Sequence, residues 1–192
     1  MAYTYWVDIE EKIRSVQDDE RFHHTIGVMH TAAALAMAYG EDIDRARLAG
    51  LLHDCAKCVP NNEKADICVS CGLSVSDFER KNPAILHGKL GAYYAKHKYG
   101  VEDDEICSAV RYHTTGKPDM TVLEQIVFIA DYIEPDRDEM PRLSEIRQMA
   151  FKDMDKCTAM IMSDTLEHLK DVGKAIDDET TRAYEYYKAL AE

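Results

Sequence analysis

The sequence predicts an all-α protein, with residues 1–192 folding as a single helical bundle. Three observations carry this reading. Apolar residues recur at helical spacing along nearly the whole chain, and no stretch alternates convincingly as a strand does. Breaks punctuate the pattern at Gly40, Pro60, Gly72, Pro83, Gly100, Pro118, Pro135 and Gly173. Two capping boxes, Ser76-x-x-Glu79 and Thr121-x-x-Glu124, mark helix starts. A chain of 192 residues fits one domain and can bury a substantial core. No repeat, low-complexity tract or long linker divides it.

The helices follow in order. An amphipathic helix is expected over 5–16, and a second over 22–39 with Gly40 as its stop. The third is expected over 42–57, before Pro60 breaks the chain. Asn61 or Asn62 caps a short helix that ends at Gly72, and Ser76 starts another. Pro83 opens a segment that leads through His87 into a helix ending near 99–100. The next helix covers 103–113 and is closed by TTGKP at 114–118. Thr121 starts the helix that carries Asp131 and ends at 134–135. Ser144 starts a further helix, a longer one covers 154–172, and the last covers 178–191. On that last helix Tyr184, Tyr187 and Leu190 read as a packing stripe rather than a ligand box.

Composition excludes several function classes. A net charge of -13 and a pI near 5.0 argue against general binding to nucleic-acid backbones, which needs a basic face. A small phosphorylated substrate stays open, because a local cluster of metal, Lys and Arg can hold phosphates within an acidic protein. The best apolar run, 31–39, is too short to span a bilayer. The N-terminal residues lack the basic start and apolar stretch of a signal peptide, so the expected location is the cytoplasm. Cys55-x-x-Cys58 and Cys68-x-x-Cys71 resemble halves of a zinc site, but the gap between them is short and the context helical. They read as small buried or half-buried thiols, reduced like Cys107 and Cys157.

Chemistry concentrates in AGLLHDCAK at 49–57, around the adjacent pair His53-Asp54. A histidine and a carboxylate side by side on a buried helix are costly unless something binds them, and a metal is the simplest partner. His24, His87, His113 and Asp131 lie in similar helical contexts. Imidazole nitrogens and carboxylate oxygens together suit a transition metal rather than calcium or magnesium: iron, manganese, cobalt, nickel or zinc. His24, His53, Asp54 and Asp131 can complete one site. His87 and His113 can hold a second ion, with the two oxygens of Asp54 as the bridge. Two metals about 3.5–4 Å apart clamp a phosphate and activate water at neutral pH, so the pattern points to hydrolysis. His23, His30, His97 and His168 read as structural, His23 because it projects about 100° away from His24 on a helix.

Five segments carry a resemblance: RFHHTIGV at 21–28, LLHDCAK at 51–57, LHGK at 86–89, AVRYHTTG at 109–116 and FIADYIEPDR at 128–137. In this order the chain resembles an HD-domain metal phosphohydrolase, and more closely the YqeK family of bacterial symmetrical bis(5′-nucleosyl)-tetraphosphatases. HTTG combined with ADYIEP is the specific part; a bare His-Asp is not. The resemblance implies an HD-type helical bundle and a di-iron-type centre on His24, His53, Asp54, His87, His113 and Asp131. It implies cleavage of diadenosine tetraphosphate at its middle to give two ADP, and a homodimer. The cysteine-rich stretch 55–71 departs from the family in composition but removes no ligand.

Around that centre, Asp54 and Lys57 are the expected catalytic residues. Lys57 follows His53 by four positions, which on a helix sets it on the same face for a phosphate contact. Lys89 lies near a helix start, Thr114 and Thr115 follow His113, and Arg137 can fork onto a distal phosphate. Arg21 completes the substrate-binding candidates. Other hydrolases of the HD type, acting on nucleoside monophosphates or guanosine tetraphosphate, share the same metal chemistry. A nucleotide-sensing module without turnover is a further reading, but the intact ligand set speaks against it.

Overall fold

A computed structural model describes residues 3–137 and 140–191, with side chains from residue 7 onward. The described residues form helices and turns with no strand. The helices are α1 (Tyr3–Arg14), α2 (Asp19–Tyr39), α3 (Ile43–Leu52), α4 (Asn61–Ser70), α5 (Asp77–Lys81), α6 (Leu86–His97), α7 (Asp104–Tyr112), α8 (Val122–Ile133), α9 (Leu143–Met149), α10 (Met154–Asp171) and α11 (Asp178–Ala191), with a 3-10 turn at Pro83–Ile85 before α6.

Local chemistry explains most of the boundaries. Asp18, Asp42 and Asp103 each accept a backbone N–H at the start of α2, α3 and α7. Both capping boxes form, Ser76 with Glu79 and Thr121 with Glu124. Gly40 ends α2 in the left-handed region at φ 73°. In the middle of the fold, α2 lies against α3 and α8, while α7 lies against α6 and α8. α8 is the most deeply set: Leu123, Ile126, Val127, Ile129 and Ala130 are fully buried. Each large apolar side chain buried this way contributes about 1.5–3 kcal/mol. That surplus offsets the cost of holding charged groups at the centre. α6 and α7 cross closely because position 88 is glycine; a Cβ there would sit 2.6 Å from the carbonyl oxygen of Arg111.

The structure corrects several expectations. α1 begins and ends earlier than 5–16, and residues 15–17 are turn and bend. No side chain caps α4; Pro60 is at its N-cap, and Asn61 instead accepts a bond from Lys64 Nζ at 2.8 Å. α9 begins at Leu143, after Arg142 in the left-handed region. Tyr187 is buried and its hydroxyl accepts the Met120 N–H, but Leu190 faces solvent. The most consequential correction concerns α3, which ends at Leu52 rather than running to 57. Beyond it Cys55, Lys57 and Val59 donate N–H bonds back three residues, to Leu52, Asp54 and Ala56. Periodicity hides this break, because Leu51, Leu52, Cys55 and Ala56 are all buried.

The cysteines are free thiols. Cys55 and Cys68 pack as small apolar groups, and burial pushes both thiols up. Among the described residues no cysteine joins a cluster able to hold a metal. Among the described residues no helix is long and apolar enough to cross a membrane.

Candidate metal centre

Six side chains from five parts of the chain meet between the central helices. They form two triads: His24, His53 and Asp131, and Asp54, His87 and His113, with the ligand atoms of each within 4.8 Å of one another. His24 comes from the second turn of α2, and Asp131 from the last turn of α8. His53 caps the end of α3 and Asp54 follows it in the turn; His87 is in the first turn of α6, and His113 caps the end of α7. Three of the four histidines thus sit at helix ends, where the chain changes direction.

The rings are oriented by their outer nitrogens. The Nδ1–H of His53 donates to Gly50 O at 2.6 Å, that of His87 to Ala84 O at 2.6 Å and that of His113 to Val110 O at 2.7 Å. A carbonyl oxygen only accepts, so Nδ1 carries the proton and the Nε2 lone pair points inward. His24 makes the same bond to a side chain, Glu134 Oε1, at 3.1 Å. The inward nitrogens crowd together: His24 and His53 Nε2 are 3.3 Å apart, His87 and His113 Nε2 3.1 Å apart. Lone pairs so close repel unless a cation or proton lies among them.

The carboxylates complete each triad. Asp131 Oδ1 lies 3.1 Å from His24 Nε2 and 3.8 Å from His53 Nε2. Asp54 Oδ1 lies 3.2 Å from His87 Nε2 and 3.5 Å from His113 Nε2, while its Oδ2 faces His53 Nε2 at 3.7 Å. Asp54 therefore spans both triads. Its Oδ1 is buried without a hydrogen-bond partner. An orphaned carboxylate oxygen among converging imidazole lone pairs fits a transition metal by donor type and by number.

Electrostatics agree. Burial drives the His53 ring down to about 4 and also lowers His87, which favours neutral, metal-binding imidazole. Burial alone would raise Asp54, but His53, His113 and His87 reverse this and hold its carboxyl well below the usual range. Asp131 behaves alike: burial opposes, and His24, His53 and Arg137 win.

The flanking candidates divide. Arg21 Nη1 bonds Asp54 Oδ2 at 3.0 Å, and Arg137 Nη2 bonds Asp131 Oδ1 at 3.1 Å. Both line a cleft of about 420 Å³ that opens beside His24. Lys57 Nζ lies 3.3 Å from His87 Nε2 and 3.8 Å from Asp54 Oδ1, so it reaches the centre, but through the turn after α3 rather than through a helical i, i+4 relation. Thr114 Oγ1 lies 2.9 Å from His87 Nε2 and 3.0 Å from His113 Nε2. Thr115 turns aside and bonds Gly116 O. Lys89 is not brought to the centre: its ammonium pairs with Glu79 and with Ser74 O. The reason is helical, since residues two apart diverge by about 200°, which sends Lys89 to the face opposite His87. His23 stays outside, exposed and paired with Asp136 at 2.9 Å.

Sequence reading missed Glu134. It is 1% exposed, holds His24 with Oε1 and accepts the Asp136 N–H with Oε2 at 2.8 Å. A Cβ at Gly27 would approach Oε2 to 2.6 Å, so glycine there leaves the carboxylate room. The signal was present, because Glu134 follows Asp131 by three and Gly27 follows His24 by three, each on the same helical side.

Comparison with known proteins gives this centre its relatives. The chain is 38% identical over 166 residues to a protein of Halalkalibacterium halodurans named bis(5'-nucleosyl)-tetraphosphatase, symmetrical, covering 86% of this chain and 88% of that one. A Bacillus subtilis protein of the same name is 34% identical, with 88% and 89% covered. A crystal structure described as a "predicted HD superfamily hydrolase involved in NAD metabolism" from Clostridium acetobutylicum superposes with a TM-score of 0.93 at 37% identity, covering 96% of this chain and 97% of that one. Residues 21–136 match the HD domain. That span begins before His24 and ends after Asp131, so the whole two-triad cluster lies inside it, and the chain belongs to the HD-domain family.

Proposed function

We propose that this protein is a symmetrical dinucleoside tetraphosphatase, which hydrolyses diadenosine tetraphosphate and related dinucleoside polyphosphates into two nucleoside diphosphates. The observation that carries the chemistry is the pair of triads sharing Asp54, with four Nε2 lone pairs turned inward. The substrate class is supported by relatives that carry the tetraphosphatase name over most of their length.

His24, His53 and Asp131 would hold one metal ion and His87 and His113 the other, with Asp54 between them. Bound there, a metal pair neutralises phosphate charge and activates water. Iron is our first assignment; manganese, cobalt, nickel and zinc suit the same donors. The protein's own groups do the rest. Arg21 and Arg137 hold the two carboxylates and present their remaining N–H groups to the phosphate chain from the cleft. Lys57 and Thr114 face the other triad, where an ammonium and a hydroxyl can donate to phosphoryl oxygens. In the reaction, water oxygen bonds to one of the two central phosphorus atoms. The bond from that atom to the central bridging oxygen breaks, the bridging oxygen leaves on the other ADP, and the water protons pass to solvent. We assign this activity to one domain acting in the cytoplasm, as a homodimer.

The test is product identity. Purified protein loaded with Mn²⁺ or Fe²⁺ is given diadenosine tetraphosphate, and nucleotides are separated by anion exchange. ADP as the sole nucleotide product supports the proposal. AMP and ATP in equal amounts mean off-centre attack and overturn it.

A further inference from the structure

The end of α8 lacks the groups that ordinarily close a helix. Its last turn carries no basic residue, and Asp131 lies in it, where a carboxylate faces the negative end of the helix dipole. Pro135 follows the capping residue Glu134, so the position that usually donates an N–H back to the last carbonyls has none to give. The proline also holds Glu134 extended, at ψ 154°.

Both needs are met from another helix. Arg147 of α9, 14 residues beyond Ile133, lays its guanidinium across this end. Its Nε donates to Ile133 O at 2.9 Å, and its Nη2 donates to Glu134 O at 2.7 Å and to Pro135 O at 3.3 Å. One planar fork thus holds three consecutive carbonyls, which the point charge of a lysine ammonium does not match. α9 is itself fixed: Leu143 and Ile146 are buried, and the Tyr39 hydroxyl of α2 donates to Ala150 O at 2.8 Å.

The stretch held in this way, 131–137, carries three side chains that build one triad. Asp131 supplies a ligand oxygen, Glu134 accepts the His24 Nδ1–H, and Arg137 bonds Asp131. The histidines of the other triad come from α6 and the end of α7. The two halves of the centre therefore differ in what keeps them in shape.

We propose that Arg147 is a positioning residue: it clamps the end of α8 and so sets the geometry of the His24, His53 and Asp131 site, while the site of His87 and His113 does not depend on it. The assignment rests on the metal pair proposed above.

The test uses wild type and Arg147→Ala, loaded with Mn²⁺ and dialysed against graded chelator, with retained metal read by elemental analysis. The variant should release one equivalent at about tenfold lower chelator or less, and the other within about twofold of wild type. Millimolar guanidinium ion should restore the weakened equivalent and methylammonium should not, a distinction that general loosening of the fold does not produce. Amide exchange on the metal-free proteins gives a second readout. Peptides covering 131–137 should exchange faster in the variant, and peptides covering 86–97 should not. Should Arg147→Ala fail to fold, Arg147→Lys is read in the same way and shows the same one-site weakening. Equal weakening of both equivalents, no weakening, or rescue by methylammonium overturns the clamp. The two readings fail separately. A wild type that holds two Mn²⁺ but releases no ADP from diadenosine tetraphosphate sinks the function, and the one-site loss still supports the clamp. A wild type that releases ADP, while Arg147→Ala keeps both metals at wild-type chelator, keeps the function and sinks the clamp.

Discussion

Glu134→Gln tests whether one carboxylate beyond the ligands tunes metal binding. The substitution keeps side-chain volume but removes half of a double role. Glu134 accepts two hydrogen bonds at once, from His24 Nδ1–H at 3.1 Å and from the Asp136 N–H at 2.8 Å. A glutamine has one oxygen for these two donors, and its NH₂ must oppose whichever donor it leaves. Either His24 loses its anchor, or the turn that positions Arg137 loses one of its bonds. At a site 1% exposed, solvent does not replace the lost partner. A charge-assisted hydrogen bond lost in such a place is worth about 1.5–3 kcal/mol. Removing the outer partner of a metal-binding histidine typically weakens metal affinity by about 10- to 100-fold. The two figures agree. The assay is chelator competition: protein loaded with Mn²⁺ is dialysed against graded chelator, and the metal retained is read by elemental analysis. The variant should release its first equivalent at correspondingly lower chelator, while thermal stability without metal changes by less than the metal-bound stability. A retention curve superimposable on wild type would refute the reasoning, because His24 would then be held by packing alone.

Asp54→Ala removes the residue shared by both triads, so metal content should fall from more than one atom per chain to near zero, and activity should fall with it; elemental analysis beside the product assay checks both. Lys57→Ala should keep wild-type metal content and lower turnover by about ten- to a hundredfold, the loss of one charge-assisted bond; loss of the metals, or full activity, would make Lys57 a structural residue. Without metal, stability should depend on pH through His53. Its folded value lies near 4, below the unfolded 6.5, so the unfolded chain binds the extra proton between these values. Stability is thus fully present above about pH 6.5 and is lost toward pH 4, by about 3 kcal/mol from this ring. Urea midpoints at pH 7 and pH 5 check it, and a flat profile contradicts the burial argument.

By itself the sequence determined what depends on neighbours along the chain. Helical spacing and the capping boxes at Ser76 and Thr121 set most helices within a few residues, because an i, i+3 or i, i+4 relation is local and leaves a visible period. The ligand types were equally legible, since imidazole and carboxylate in apolar helices call for a partner whatever the fold. Only the tertiary structure decided how these groups meet. The end of α3 at Leu52 leaves no mark in an unbroken apolar run, yet it turns His53 and Asp54 toward the same centre. Thr114 joins the site because the end of α7 turns its hydroxyl toward His87 of α6, a meeting that no spacing along the chain announces; Lys89, by contrast, leaves the site through a local relation, two residues after His87 on the same helix. Glu134 and His24 meet from 110 residues apart. Such a contact has no period to betray it, because packing of α2 against α8 brings the two together, and packing is a property of the assembled core rather than of any segment.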